Sequence, residues 1–412
     1  MRLKFIMVLL CVWGSVLAQD APAGRIKGLR VIGEKKAMLP IAGIDGQPIT
    51  IEFDTDGSQP YDFRVKFYHC DKDWGITNNS FINDELRTTT KFQIPYEPAP
   101  AFVRHYTFHY SVSVPGFSGF KRFPQSGNYV FQIWDHDEKE MQGEGRFFVV
   151  EQTLSPVMKV RNRKLPGGIA PWNQANKVEV FFEIPEGGQG DSDLYPILLK
   201  TVDVYKNREL RSPFRISADD QSANTFVEGY GLRTVKFSVD NITPGNEYRR
   251  LDLRNVDFYP PRQDAQFREG ADVSRFLHQG KKDNNGAAVI ATVNQYSDYL
   301  RFRFELLRES DDLDSVFVLG DFNEWTPSEA SLMNYNRETR RYWLAIWLRR
   351  GVYDYQYLVG RNDWITLEGN DLRTVNLYTA LVYYHDPRYG GFDRIVGFVQ
   401  APGPGGGDAA AN

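Results

Sequence analysis

His105 and His109, four residues apart, have a spacing that could hold a metal ion. On a helix both rings would share a face, but Tyr106–Val114 alternates like a strand. There, residues i and i+4 lie about 13 Å apart, too far to share one ion. His69-Cys70-Asp71 places a thiol between an imidazole and a carboxylate, the components of a thiol nucleophile. Adjacent strand residues point to opposite faces, so His69 is not positioned to serve Cys70, and a buried thiol is expected. Asp54-Thr55-Asp56-Gly57 opens like a calcium loop but lacks the later ligands and closing Glu, and reads as a solvated turn. The acidic stretch from Asp135 to Glu140 reads as the solvated tip of a hairpin. The sequence has no GxSxG, HExxH, Walker loop or paired-cysteine zinc motif. The expectation is a protein without catalytic residues, cofactor or metal.

Aromatic side chains are the other chemistry on offer. Between Ser315 and Gly360 a short apolar run, Val316 to Leu319, meets the turn Gly320-Asp321-Phe322-Asn323-Glu324-Trp325. Thr326-Pro327-Ser328-Glu329 has the form of a helix start with proline at the first position, which predicts one helical turn. Two strands follow. In Tyr342–Leu348 both faces are apolar, with Trp343, Ala345 and Trp347 opposite Tyr342, Leu344, Ile346 and Leu348, so a central strand is expected. In Val352–Val359 the tyrosines Tyr353, Tyr355 and Tyr357 share a face that should be covered, and the opposite face is mixed. This region is similar to the early-set immunoglobulin-like domains that accompany starch- and glycogen-active enzymes. That resemblance implies a glycan platform built from Trp325, Trp343 and Trp364, with Trp347 beside them. The competing expectation is that Trp325 tucks beneath its turn and that Trp343 and Trp347 fill a sandwich core.

With 412 residues, the chain is long enough for two to four domains. Its 22 Tyr and 28 Phe suit pleated surfaces. The net charge of −4 argues against a nucleic-acid surface. The start MRLKFIMVLLCVWGSVLAQD has a basic end, an apolar segment and a small-residue exit, which predicts a secretory leader over residues 1–18. Lipidation at Cys11 is the alternative reading. With Cys11 removed, Cys70 has no partner for an intramolecular disulfide.

Six strand-like segments between Ile49 and Glu151 predict a first β-sandwich over 19–153. In the strand before Cys70, Phe63, Val65, Phe67 and His69 share one face. A second β unit is expected over 154–286, with a polar excursion at 262–286. A third is expected over 287–400, then a flexible tail at 401–412. The predicted class is all-β, three tandem immunoglobulin-like sandwiches.

Several motifs then fall in register. They are Tyr68-His69-Cys70-Asp71-Lys72-Asp73-Trp74, His109-Tyr110-Ser111-Val112-Ser113-Val114-Pro115, Ser126-Gly127-Asn128-Tyr129-Val130, Gly245-Asn246-Glu247-Tyr248-Arg249, Leu367-Glu368-Gly369-Asn370 and Val382-Tyr383-Tyr384-His385-Asp386-Pro387. In this order the chain resembles the plug protein of the type IX secretion system of Bacteroidetes. The resemblance implies a periplasmic protein at the inner face of the outer membrane. One copy would cap the opening of a SprA-type β-barrel translocon and keep it shut when no substrate passes. The family has no assigned catalytic residues. Trp74, Phe117, Phe120 and Trp172 are the candidate interface residues, because exposed aromatic side chains anchor interfaces. The second functional reading is an exported glycan-binding protein.

Overall fold

Alternation of apolar and polar residues makes short strands the dominant element, and the protein is nearly all β with several antiparallel sheets. The computed structural model describes residues 26–33, 39–83, 92–117, 120–185, 194–220, 222–275, 285, 290–292 and 294–404. The expected leader at 1–18, Cys11 and most of the expected tail lie outside the described residues.

Three apolar cores each lie between two sheets. The first lies between Ile26–Ile32, Ile49–Thr55, Phe108–Val114 and Tyr96–Pro98 on one side and a five-stranded sheet centred on Gly127–Trp134 on the other. Its interior is aromatic: Phe53 stacks on Tyr110 at 4.9 Å, and Phe67, Phe123 and Phe147 meet edge-on or tilted. Phe63, Val65 and Phe67 enter this core as their alternation requires.

The second core corrects the linear division of the chain. Val157–Lys164, Gln174–Glu183, Thr234–Ile242 and Thr225–Glu228 form one sheet. The facing sheet runs in the order Phe214–Ser217, Thr201–Lys206, Leu377–Asp386, Phe392–Pro402. Thr201 to Lys206 pairs residue by residue with Tyr383 to Tyr378. Tyr378, Ala380, Val382, Tyr384 and Val396 therefore complete a core with Val202, Val204 and Phe237. The expected unit at 287–400 does not hold together, because its last two strands belong to the middle core.

The third core takes strands from the expected second unit in exchange. Arg249–Asp252 pairs with Gly351–Val359, and Ala265–Gln266 pairs in parallel with Tyr299–Leu307. Within 262–286, expected as an excursion, Ala265 and Phe267 pack into this core, while most of the stretch after Arg275 lies outside the described residues. Tyr353, Tyr355 and Tyr357 point into it as expected. Their opposite face is also covered, with Asp354, Gln356 and Leu358 all buried. Tyr342 and Leu348 of Arg341–Arg349 face the core, whereas Trp343 and Trp347 lie half-buried on the outer side of the sheet. The expected helical turn is a 3-10 turn over Glu329–Ser331, entered from Ser328 and not from Thr326.

Candidate functional site

Asp54 is the penultimate residue of the strand Ile49–Thr55, and its side chain is 1% exposed. Expected on a solvated turn, it instead accepts hydrogen bonds from three elements. Arg349 Nη1 lies 3.1 Å from both carboxylate oxygens, Tyr299 Oη donates at 2.8 Å, and His109 Nδ1 is 2.7 Å away. Arg349 Nη2 also donates to Tyr106 Oη at 3.1 Å, which in turn is 3.0 Å from Ser297 Oγ. This polar seam joins the first core to the third. Burial disfavours charge on His109, but its hydrogen bonds to Asp54 and Glu52 outweigh that and raise its pKa to about 9. Burial also works against charge on Glu52, where the His109 hydrogen bond and nearby Arg30 prevail and lower the pKa to about 2.

A folded-state pKa raised above the ordinary 6.5 makes His109 contribute stability that is complete below pH 6.5 and lost as pH rises through about 9. The depressed Glu52 contributes above pH 4.5 and loses it as pH falls toward about 2. Denaturant titrations should show stability falling by on the order of 1–3 kcal/mol between pH 6.5 and 9, and that slope should vanish in His109→Gln. An unchanged slope in the variant would remove His109 from the account.

The first and middle cores meet over an apolar patch, where Leu39, Ile41, Phe148 and Val150 pack on Tyr205, Leu381, Tyr383 and Ile395. Its polar ties are Tyr383 Oη to Asn128 Oδ1 at 2.8 Å, Arg394 Nε and Nη2 to Glu151 at 2.8 Å each, and Arg215 shared between Asp203, Asp73 and Lys72 O. The middle and third cores meet through Asn207, whose Nδ2 donates to Tyr248 Oη and Asn376 Oδ1 at 2.9 Å each. Arg208 Nε to Asp321 at 2.8 Å and Arg211 to Glu324 extend that seam. All three cores border one small cavity of about 60 Å³, with Arg30 and Arg146 from the first, Arg208 from the middle, and Asp321 and Glu324 from the third. Each core is tied to both others, so bending at one seam would strain the remaining two.

Cys70 and His69 serve packing. Cys70 is fully buried, and burial raises its pKa to about 12. His69 Nδ1 pairs with Thr77 Oγ1 at 2.8 Å and Nε2 with Ser126 O at 3.0 Å, while burial lowers its pKa to about 4. His105 goes to Asp298 and His109 to Asp54, so the two rings share no site. At the acidic hairpin tip, Asp135 Oδ1 accepts the backbone N–H of Lys139 and Glu140.

The candidate interface residues do not form one surface. Phe120 is 7% exposed inside the first core and Phe117 packs against it, because the chain after Pro115 folds back through a Phe117–Phe120 bridge. Trp74 is half-buried at the seam of the first and middle cores, 5.2 Å from Phe148 and beneath the Arg146 guanidinium. Trp172 is the one of the four that stands free, 55% exposed beside Ile169 at 76%. Its loop is tethered by Asn370 Nδ2, which donates to Pro171 O and Gln174 O at 2.8 Å. The glycan platform is dispersed as well. Trp325 is 5% exposed under its turn, Trp364 packs against it, and Trp343 is covered by the Arg303 guanidinium. Trp347 lies 4.9 Å from His105 of the first unit.

Sequence reasoning missed an exposed pair, Phe81 at 77% and Tyr389 at 55%, stacked at 5.7 Å from loops of the first and middle units. Ile76, 51% exposed, lies in the same loop as Phe81. Each sits alone in a polar or glycine-rich loop, and only the fold brings them together. With Trp172 and Ile169 they are among the exposed apolar side chains suited to a protein contact.

Residues 26–151 match the model of the family described as type 9 secretion system plug protein, first domain. No curated protein matches the chain. The chain is similar in structure to a hypothetical protein from Parabacteroides merdae ATCC 43184, with a TM-score of 0.74 and 21% identity, covering 92% of this chain and 97% of that one. That likeness establishes the fold. A second solved structure, the C-terminal domain of the Streptococcus pyogenes antigen I/II-family protein AspA, aligns with a TM-score of 0.15 and 9% identity and carries no argument. Among the described residues no helix is long and apolar enough to cross a membrane.

Proposed function

We propose that this protein is a periplasmic plug that caps the inner opening of a type IX secretion translocon, a SprA-type outer-membrane barrel, and keeps it closed when no substrate is passing. The observation that carries the reading is the match of residues 26–151 to the first domain of that family. The remaining units are read as two further β-sandwiches, the last of early-set type, on the strength of their cores and of the motifs in register.

A plug needs area and stiffness. A stable interface buries about 1,600 Å² in total. Three cores tied pairwise can present that area without yielding, because each seam is braced by the other two. Release would come from a partner that binds the unplugged state better, since differential affinity alone shifts such an equilibrium. Against the glycan reading, Trp325 is buried and the Arg303 guanidinium lies over the ring of Trp343.

The test is capture of tagged protein from membranes of its own organism, read by mass spectrometry. Recovery of one giant β-barrel at near-equal stoichiometry is expected. Phe81→Asp combined with Trp172→Asp should reduce recovery at least tenfold with unchanged melting, because both side chains are mostly exposed. Recovery of no barrel, with retention on an α-glucan column, would overturn the plug.

A further inference from the structure

Where the first-unit loop around Phe102 meets two loops of the third unit, a pocket of about 180 Å³ is lined by Phe102, Arg104, Arg262, Tyr296, Asp298 and Arg350. Its charges are unbalanced. Asp298, its only carboxylate, is already committed: it accepts the backbone N–H of Arg104 at 3.1 Å, of His105 at 3.0 Å and of Tyr299 at 2.8 Å, and pairs with His105 Nδ1 at 3.1 Å. Arg350 is 1% exposed, and its guanidinium donates to two backbone carbonyls, Leu253 O and Tyr259 O, with no carboxylate in contact. Arg104 and Arg262 are exposed and form no ion pair with any described residue.

Other exposed arginines are matched locally, as Arg254 is to Asp252 and Arg373 to Asp371. Arg262 also holds a left-handed backbone at φ 73, a conformation that costs a non-glycine residue energy and persists where surroundings impose it. Phe102 and Tyr296, 68% and 40% exposed, lie within 30° of parallel at 6.5 Å and give the pocket an apolar wall. Arginine beside aromatic rings around a concavity is the composition of an interface anchor site. Arg350 is satisfied by its carbonyls, so Arg104 and Arg262 are the two guanidiniums beside one committed carboxylate that can take an anion from outside.

We propose that this pocket binds a carboxylate-bearing peptide segment of a protein partner, an Asp or Glu flanked by an aromatic side chain. The carboxylate is bridged by Arg104 and Arg262, and the aromatic group rests on Phe102 and Tyr296. The proposal does not depend on the partner being a translocon.

The probe is the fluorescently labelled blocked peptide Gly-Phe-Asp-Asp-Phe-Gly, titrated against the full chain at low salt by anisotropy. Saturable binding at about 0.1–1 mM is expected. The counterpart with Asn in place of Asp should bind at least tenfold more weakly, as should the acidic peptide to Arg104→Glu combined with Arg262→Glu. Phe102→Ser, which alters only an exposed ring, should weaken binding severalfold without shifting the melting temperature. Equal binding of the acid and amide peptides, unchanged binding by the charge-reversed protein, or no saturation by about 5 mM would overturn the proposal. Full displacement by equimolar inorganic phosphate would also overturn it, in favour of a general anion site.

Discussion

Glu368→Gln is expected to cost about 3–5 kcal/mol of unfolding free energy, although Gln has nearly the same shape. Glu368 is fully buried and serves two guanidiniums at once: Arg249 Nε at 2.9 and 3.1 Å, and Arg275 Nη2 at 2.6 Å and Nε at 2.9 Å. It also accepts the backbone N–H of Tyr357 at 2.8 Å. Asp272, 3.1 Å from Arg249, balances one of the two cations and leaves the other without a counter-charge once the Glu368 charge is gone. The penalty comes from leaving a positive charge in a site closed to water, which is why a neutral isostere does not rescue it. Denaturant midpoints at constant slope measure it. Arg254→Ala, which breaks an exposed pair, should stay within about 0.5 kcal/mol. A loss below about 1 kcal/mol for Glu368→Gln would mean that water reaches the cluster.

Trp325→Ala is expected to cost a similar amount, about 3–5 kcal/mol, through a different mechanism. The indole is 5% exposed, lies tilted against Tyr248 with ring centres 4.4 Å apart, and packs with Leu319 and Leu358. It follows Glu324 in a turn where both residues are left-handed, at φ 51 and 56, and the turn is held by Trp325 N–H to Gly320 O at 3.0 Å. Removing the ring leaves a cavity at the seam of the middle and third cores, beside Asn207 and its bond to Tyr248. Thermal melting should move down in one cooperative step, because the seams couple the units. A variant that melts like the parent and has lost α-glucan binding would overturn this and restore the glycan reading.

The fold class was legible because period-two alternation is a local property: Phe63, Val65 and Phe67 point inward wherever their strand is placed. The GDFNEW turn was legible for the same reason, down to the burial of Trp325. Pairing was not legible. Nothing in Leu377–Asp386 announces Thr201–Lys206 as its neighbour, since antiparallel partners need only matching faces and the two are far apart in sequence. The seams were hidden by the same blindness. Asp54 stands at an outward strand position that normally meets water, and Arg349 and Tyr299 from distant strands make it a buried acid. Phe117 and Phe120 look like exposed loop aromatics until the loop folds back on its own core.

The late strands Leu377–Asp386 and Phe392–Pro402 also set a timetable. A chain emerging amino-end first has every strand of its third core in hand before the middle one can close, so Val202 and Val204 wait beside a vacant sheet edge until the last strands arrive. A product truncated before Leu377 would keep that edge open, sticky and cleavable. Limited proteolysis is therefore expected to cut a chain ended before Leu377 faster than the full one, with equal rates showing that the last two strands do not close the middle core.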